Sequence, residues 1–86
     1  MYCVYILLSV KDKKTYIGYS GNLKRRIDEH KKGLVEATKD RRPLKLLYVG
    51  CFINELDAKN EELFLKSGKG RERLKFLLKN TFENLK

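Results

Sequence analysis

The stretch from Tyr2 to Ser9 (Tyr2-Cys3-Val4-Tyr5-Ile6-Leu7-Leu8-Ser9) constrains the fold more than any other. Read as a strand, it points Tyr2, Val4, Ile6 and Leu8 one way and Cys3, Tyr5 and Leu7 the other. Both faces are apolar or aromatic, so the strand is expected at the centre of a sheet, covered on both sides. No basic region precedes it and no small-residue cleavage site follows, which marks it as a strand rather than a signal peptide. No window approaches the ~20 apolar residues of a membrane span. A chain of 86 residues has room for one core, so residues 1–86 are read as a single domain.

The remaining elements follow in order. Lys11-Asp12-Lys13-Lys14 reads as a polar hairpin turn, and Thr15 to Gly18 as a shorter antiparallel strand. Gly18 and Gly21 bracket Tyr19-Ser20. Asn22 is a good N-cap for a helix from Leu23 to about Lys32, with Gly33 as its stop. Residues 34–43 form a basic loop ending at Pro43. Leu44 to Phe52 reads as the third strand. Asn54 caps a second helix running to about Lys66, and Ser67-Gly68-Lys69-Gly70 breaks it. A third helix from about Arg71 carries Leu74, Leu77, Leu78, Phe82 and Leu85 at helical spacing. The order ββαβαα predicts an α+β domain, a small antiparallel sheet with helices packed on it.

Charge bounds the partners. Twenty Lys and Arg stand against 11 Asp and Glu, a net charge of +9 spread along the chain. Such a field attracts polyanions, nucleic acid first among them. Cys3 and Cys51 are too few and too scattered for a disulfide framework or a zinc site. Both lie in apolar runs and are expected to be buried, reduced thiols of a cytoplasmic protein.

Chemistry-bearing side chains gather in the first half. At 100° per residue, with Leu23 at zero, Ile27 falls near ~40°, His30 near ~340° and Arg26 near ~300°. Leu23 and Ile27 therefore face the core, with Arg26 and His30 as i,i+4 neighbours on its shoulder. Arg25 falls near ~200° and faces solvent. Tyr5 and Tyr16 sit on strands that a hairpin brings side by side. Taken singly, each has a plainer role: tyrosines favour strands, and Arg26 can snorkel beside a packed His30. Their convergence points to a site. On the second helix, Glu62 sits at the edge of the packed face formed by Ala58 and Leu65, with Glu61 turned further away. A lone Glu in that position is ordinarily a surface ion pair.

Cys3-Val4-Tyr5, then Tyr16-Ile17-Gly18, then Asn22-Leu23-Lys24-Arg25-Arg26-Ile27-Asp28-Glu29-His30 resemble the GIY-YIG endonuclease superfamily. The resemblance continues through Thr38-Lys39-Asp40-Arg41-Arg42-Pro43 and Ala58…Glu62…Leu65 to Arg71. It covers nearly the whole chain, and its last run resembles the small stand-alone bacterial members, which are related to the N-terminal nuclease domain of the excinuclease C subunit. One departure is that Cys3 and Val4 stand where the first motif has glycine and isoleucine, although Tyr5 is kept. The resemblance implies a three-stranded antiparallel sheet flanked by three helices, and hydrolysis of DNA phosphodiesters, with DNA repair or processing as the setting. It also implies one divalent cation, Mg2+ with Mn2+ as the alternative.

On the same basis, Tyr5, Tyr16, Arg26, His30 and Glu62 are the expected catalytic residues, with Glu62 holding the metal. Either tyrosine could orient the attacking water, and the family favours Tyr5. Gly18 is expected to let backbone approach a phosphate. Arg25, Lys39, Arg41, Arg42, Lys66, Lys69 and Arg71 are the expected DNA-backbone contacts. The partner is DNA, with no membrane. No base-reading element is evident, so selectivity is expected from DNA shape or from a targeting or repair protein. The second reading is a nucleic-acid-binding module with weak or no catalysis, and the third a protein-interaction domain.

Overall fold

The computed structural model describes residues 1–84. Strand β1 (Tyr2–Ser9) pairs with β2 (Thr15–Ser20) on one side and β3 (Leu44–Phe52) on the other, both antiparallel, in the order β2-β1-β3. From Cys3 to Ser9 the central strand is buried throughout, as a strand apolar on both faces requires. Helix α1 (Leu23–Lys31) follows β2, and a 3-10 turn (Lys39–Arg41) interrupts the loop before β3. Helices α2 (Glu55–Lys66), α3 (Gly68–Leu77) and α4 (Lys79–Asn84) complete the chain.

The two faces of β1 have different surroundings. Val4 and Ile6 pack with Ala58 and Leu65 of α2 and with Leu74 and Leu78 at the end of α3. On the other face lie Tyr5 and Leu7, with His30 of α1 and the buried loop residue Thr38. The apolar core thus occupies one side of the sheet, and a core containing polar side chains occupies the other.

Local signals account for most boundaries. The Asn22 side chain accepts from the Arg25 amide and starts α1, and that of Asn54 accepts from Leu56 to start α2. Gly33, at φ +76°, ends α1 in the left-handed region that favours glycine. The C-terminal third departs from expectation. Ser67 to Gly70 is less a break than a beginning: the Ser67 hydroxyl accepts from the Gly70 amide and caps α3 three residues earlier than expected. The single expected helix is also divided at Leu78, so among the described residues there are four α-helices where three were expected. Leu85, assigned to its apolar stripe, lies outside the described residues.

The cysteines also depart from expectation. Cys3 and Cys51 are not free thiols: they form a disulfide, and Cys51 is exposed. The pairing of β1 with β3 sets the two residues directly opposite each other, which their separation of 48 residues in sequence conceals.

Candidate active site

Tyr5 leaves the middle of β1 on the face that α1 covers, and its side chain is 1% exposed. The ring fits there because Gly18 is its cross-strand partner. A Cβ at Gly18 would lie 2.8 Å from Tyr5 Cε2 and closer still to Cζ and Oη. The backbone approach to phosphate expected of Gly18 is therefore not what the structure shows. The glycine is buried, and the phenol of Tyr5 occupies the space beside it.

From that position Tyr5 Oη meets His30 Nε2 at 2.8 Å, and His30 Nδ1 meets Thr38 Oγ1 at 2.7 Å. His30 is 1% exposed and Thr38 is fully buried. Tyr16 closes the group from β2, with its ring edge-on to His30 at 5.2 Å between centroids and 6.4 Å from the Tyr5 ring. Arg26 lies one helical turn before His30. Its guanidinium acts on the Tyr5 phenol and is anchored to Glu29 at 3.3 Å, with 39% of the side chain still exposed.

The titration of these groups follows from that packing. Burial, and then the neighbouring Tyr16, push Tyr5 up to about 12, against a smaller downward pull from Arg26. Burial, and then Arg26, lower His30 and keep its imidazole neutral. Burial pulls Arg26 down, but Tyr5 and Glu29 outweigh it and hold the guanidinium above its ordinary value.

Glu62 stands apart. It belongs to α2, on the other side of the sheet, and pairs with Lys66 at 3.2 Å. Its carboxylate is the smallest of the influences on Tyr5. Among the described residues no three His, Cys, Asp or Glu side chains gather as a metal cluster. The donor set still suits a hard divalent ion of the magnesium type. Such an ion binds through one or two carboxylates and substrate phosphate while keeping several waters.

The chain matches the family model described as the GIY-YIG catalytic domain over residues 1–75. This chain belongs to the GIY-YIG family. It is 37% identical over 79 residues to the UPF0213 protein in ldhD 5'region of Pediococcus acidilactici, covering 88% of this chain and 81% of that one. It is 38% identical over 85 residues to a UPF0213 protein of Pediococcus pentosaceus, covering 95% and 90%. The solution NMR structure of a UPF0213 protein from Bacillus halodurans aligns with a TM-score of 0.56 at 33% identity, covering 90% of this chain and 85% of that one. The α+β architecture read from the GIY-YIG sequence is thus shared with a solved relative, and the family supports a nuclease-like function.

Within this GIY-YIG domain, Tyr5, Tyr16, Arg26 and His30 come together, whereas Glu62 pairs with Lys66 and reaches Tyr5 only through its charge. Most of the expected DNA contacts have intramolecular partners. Arg41 binds Asp12 at 2.8 Å and holds it down to about 2, tying the hairpin turn to the loop. Arg42 donates to the carbonyls of Lys39 and Lys31 at the end of α1, beside Gly33. Lys39 pairs with Glu36, and Lys66 with Glu62. Arg25, Lys69 and Arg71 are exposed. Thr38 is a further functional residue: it opens the run Thr38 to Pro43 that resembles the family, but a hydroxyl there does not by itself reveal its contact with His30.

Proposed function

We propose that this chain is a divalent-metal-dependent endonuclease that hydrolyses phosphodiester bonds in DNA. The observation that carries the reading is the convergence on the Tyr5 oxygen: His30 bonds to it and the partly exposed Arg26 acts on it. Once its own proton has passed to solvent, a phenolate held that way can accept a proton from a water attacking phosphorus, and Tyr16 flanks the same position. Arg26 is suited to donate charge-assisted hydrogen bonds to a non-bridging phosphate oxygen as negative charge builds there. His30, neutral and buried, orients Tyr5 rather than carrying charge. Glu62 would hold the cation, which when bound neutralises charge on the phosphate and on the departing oxygen. Exposed Arg25, Lys69 and Arg71 would contact the DNA backbone without regard to sequence. The resemblance to the excinuclease domain supports a setting in DNA repair or processing.

The test is cleavage of supercoiled plasmid and a panel of branched and damaged duplexes with Mg2+ or Mn2+. Wild type is compared with Glu62→Ala and Arg26→Ala. Removing a charge-stabilising donor such as Arg26 should cost on the order of 10²–10³-fold in rate. A second reading has one feature in its favour: burial raises Tyr5 and makes its phenolate harder to form. If wild type cleaves no substrate faster than the two variants, the domain is a nucleic-acid-binding module. DNA retention that falls steeply with salt would then be its remaining property.

A further inference from the structure

The two ends of the disulfide have different surroundings. Cys3 sits in the central strand at 6% exposure, whereas Cys51 sits on β3, an edge of the sheet, and is exposed. One end of the bond is therefore open to reagents in solution, and the fold shields the other. Cys3 and Cys51 are the only cysteines in the chain, so no other thiol of this chain competes for either sulfur. Exposed disulfides are the labile ones, and an accessible cysteine poised against a resolving partner is the arrangement of a redox sensor.

The bond also lies beside the candidate site. Cys3 stands two residues before Tyr5 on β1 and so projects from the same face of the sheet. On β3, Cys51 and Val49 stand opposite Cys3 and Tyr5. The pairing is regular from Tyr2 to Ile6 and shifts between Ile6 and Leu7. The regular half of β3 thus backs the part of β1 that carries the phenol, and the disulfide fastens that half. In the sheet β3 has no neighbour but β1, so nothing else in the sheet holds it there.

We propose that Cys3 and Cys51 form a redox switch on the frame that seats Tyr5: Cys51 exchanges with low-molecular-weight thiols and disulfides, and Cys3 is the buried cysteine that resolves. To open the bond, a thiolate RS⁻ attacks Cys51 Sγ. A mixed disulfide forms on Cys51, the Cys3–Cys51 bond breaks, and Cys3 leaves as a thiolate and takes up a proton. A second thiolate attacks the RS sulfur of the mixed disulfide and releases RSSR and the Cys51 thiolate, which is protonated in turn. Two RSH are oxidised to one RSSR, and the protein disulfide is reduced to two thiols. Closing runs the other way, with RSSR as the oxidant. A cross-link over a sequence separation of 48 favours the folded chain by roughly 10³-fold in the chain-entropy picture, and opening gives that up. The consequence for cleavage rests on the nuclease reading, whereas the switch does not.

The test titrates the folded protein with mixtures of reduced and oxidised glutathione, blocks thiols by alkylation and counts them by mass spectrometry. Wild type should pass between disulfide and dithiol forms without denaturant. With oxidised glutathione, Cys3→Ser should collect the mixed disulfide on Cys51, and Cys51→Ser should collect it on Cys3 about tenfold more slowly or less. Hydrogen exchange of the Val49–Phe52 amides should be about tenfold or more faster in the reduced wild-type protein, with the β2 amides changed less. The reduced protein should cleave plasmid more slowly than the oxidised one, and the double variant Cys3→Ser/Cys51→Ser should match the reduced rate and ignore glutathione. A bond that glutathione opens only in denaturant is a structural staple and overturns the proposal. Equal trapping in the two single variants overturns the assigned roles. Equal β3 exchange, or equal cleavage, in the oxidised and reduced forms overturns the link to the site. If no form cleaves DNA, the nuclease reading fails, and the trapping and exchange still decide the switch.

Discussion

Gly18→Ala is the most demanding test of how the Tyr5 phenol is seated. The new methyl group would lie 2.8 Å from Tyr5 Cε2 and closer to Cζ and Oη. To restore ordinary contact the ring must move by roughly 1 Å, and at 1% exposure it has little room to do so. Overpacking of this kind costs about 1–3 kcal/mol. The displacement also breaks the 2.8 Å bond to His30, leaving a buried polar group without its partner for a further ~1–3 kcal/mol. Alanine returns about 0.5–1 kcal/mol by stiffening the unfolded chain. The net loss is about 1–5 kcal/mol, against a total stability of roughly 4–13 kcal/mol for a domain of this size.

Urea denaturation reads this directly. With a slope near ~1 kcal/mol/M the midpoint should fall by roughly 1 M or more. Gly21→Ala is the control, since its nearest neighbour, Tyr2, would sit at an ordinary 3.7 Å. That variant should stay within ~0.5 kcal/mol of wild type. In a Tyr5→Ala background the cost of Gly18→Ala should largely disappear, because the ring it strikes is gone. A Gly18→Ala protein as stable as Gly21→Ala would refute the argument that Gly18 exists to admit the Tyr5 ring.

Two further outcomes follow from the packing. Gly70→Ala should cost more than ~3 kcal/mol or prevent folding, because its Cβ would lie 2.6 Å from the Leu65 Cα and closer to the Phe64 carbonyl, both backbone; Gly68→Ala, with nothing within 4 Å, should be neutral or slightly stabilising in thermal melts. Tyr5→Phe should flatten the alkaline limb of the stability curve. With Tyr5 raised from 10.0 in the unfolded chain to about 12 in the fold, its contribution is intact below pH 10 and is lost as pH rises from 10 toward 12. Over that window wild type should lose ~2–3 kcal/mol more than Tyr5→Phe, and parallel curves would contradict the burial of the phenol.

The sequence carried its information unevenly. Two-faced apolarity announced β1 as a central strand, and Asn22, Gly33 and Asn54 marked helix ends because caps are local chemistry. The angular separation of Arg26 from Arg25 likewise follows from helix geometry alone. What stayed hidden depends on contacts between distant parts of the chain. Ser67 could be read as a breaker or a cap, and the packing of Gly70 against the end of α2 makes it a cap. The loop arginines have the composition of phosphate contacts, yet Asp12 and the end of α1 occupy Arg41 and Arg42. Thr38 gained a role only when the loop closed over His30. Cys3 and Cys51 became partners only through the alignment of β1 with β3.

That alignment has a consequence for how the chain chooses one structure among near neighbours. A strand polar on one face rejects a one-residue slip, because slipping would bury charge. Strand β1 has no such safeguard, since both its faces are apolar enough to be buried. A slip against β2 or β3 would cost little in hydrophobic burial while sending Tyr5 to the wrong partners. What distinguishes the native pairing is a gap and a bond. Gly18 offers the Tyr5 ring its space at one position along β2, and the sulfurs of Cys3 and Cys51 join at one position along β3. The strand that carries the phenol is thus held in frame from both sides, by a missing side chain on one edge and a covalent link on the other.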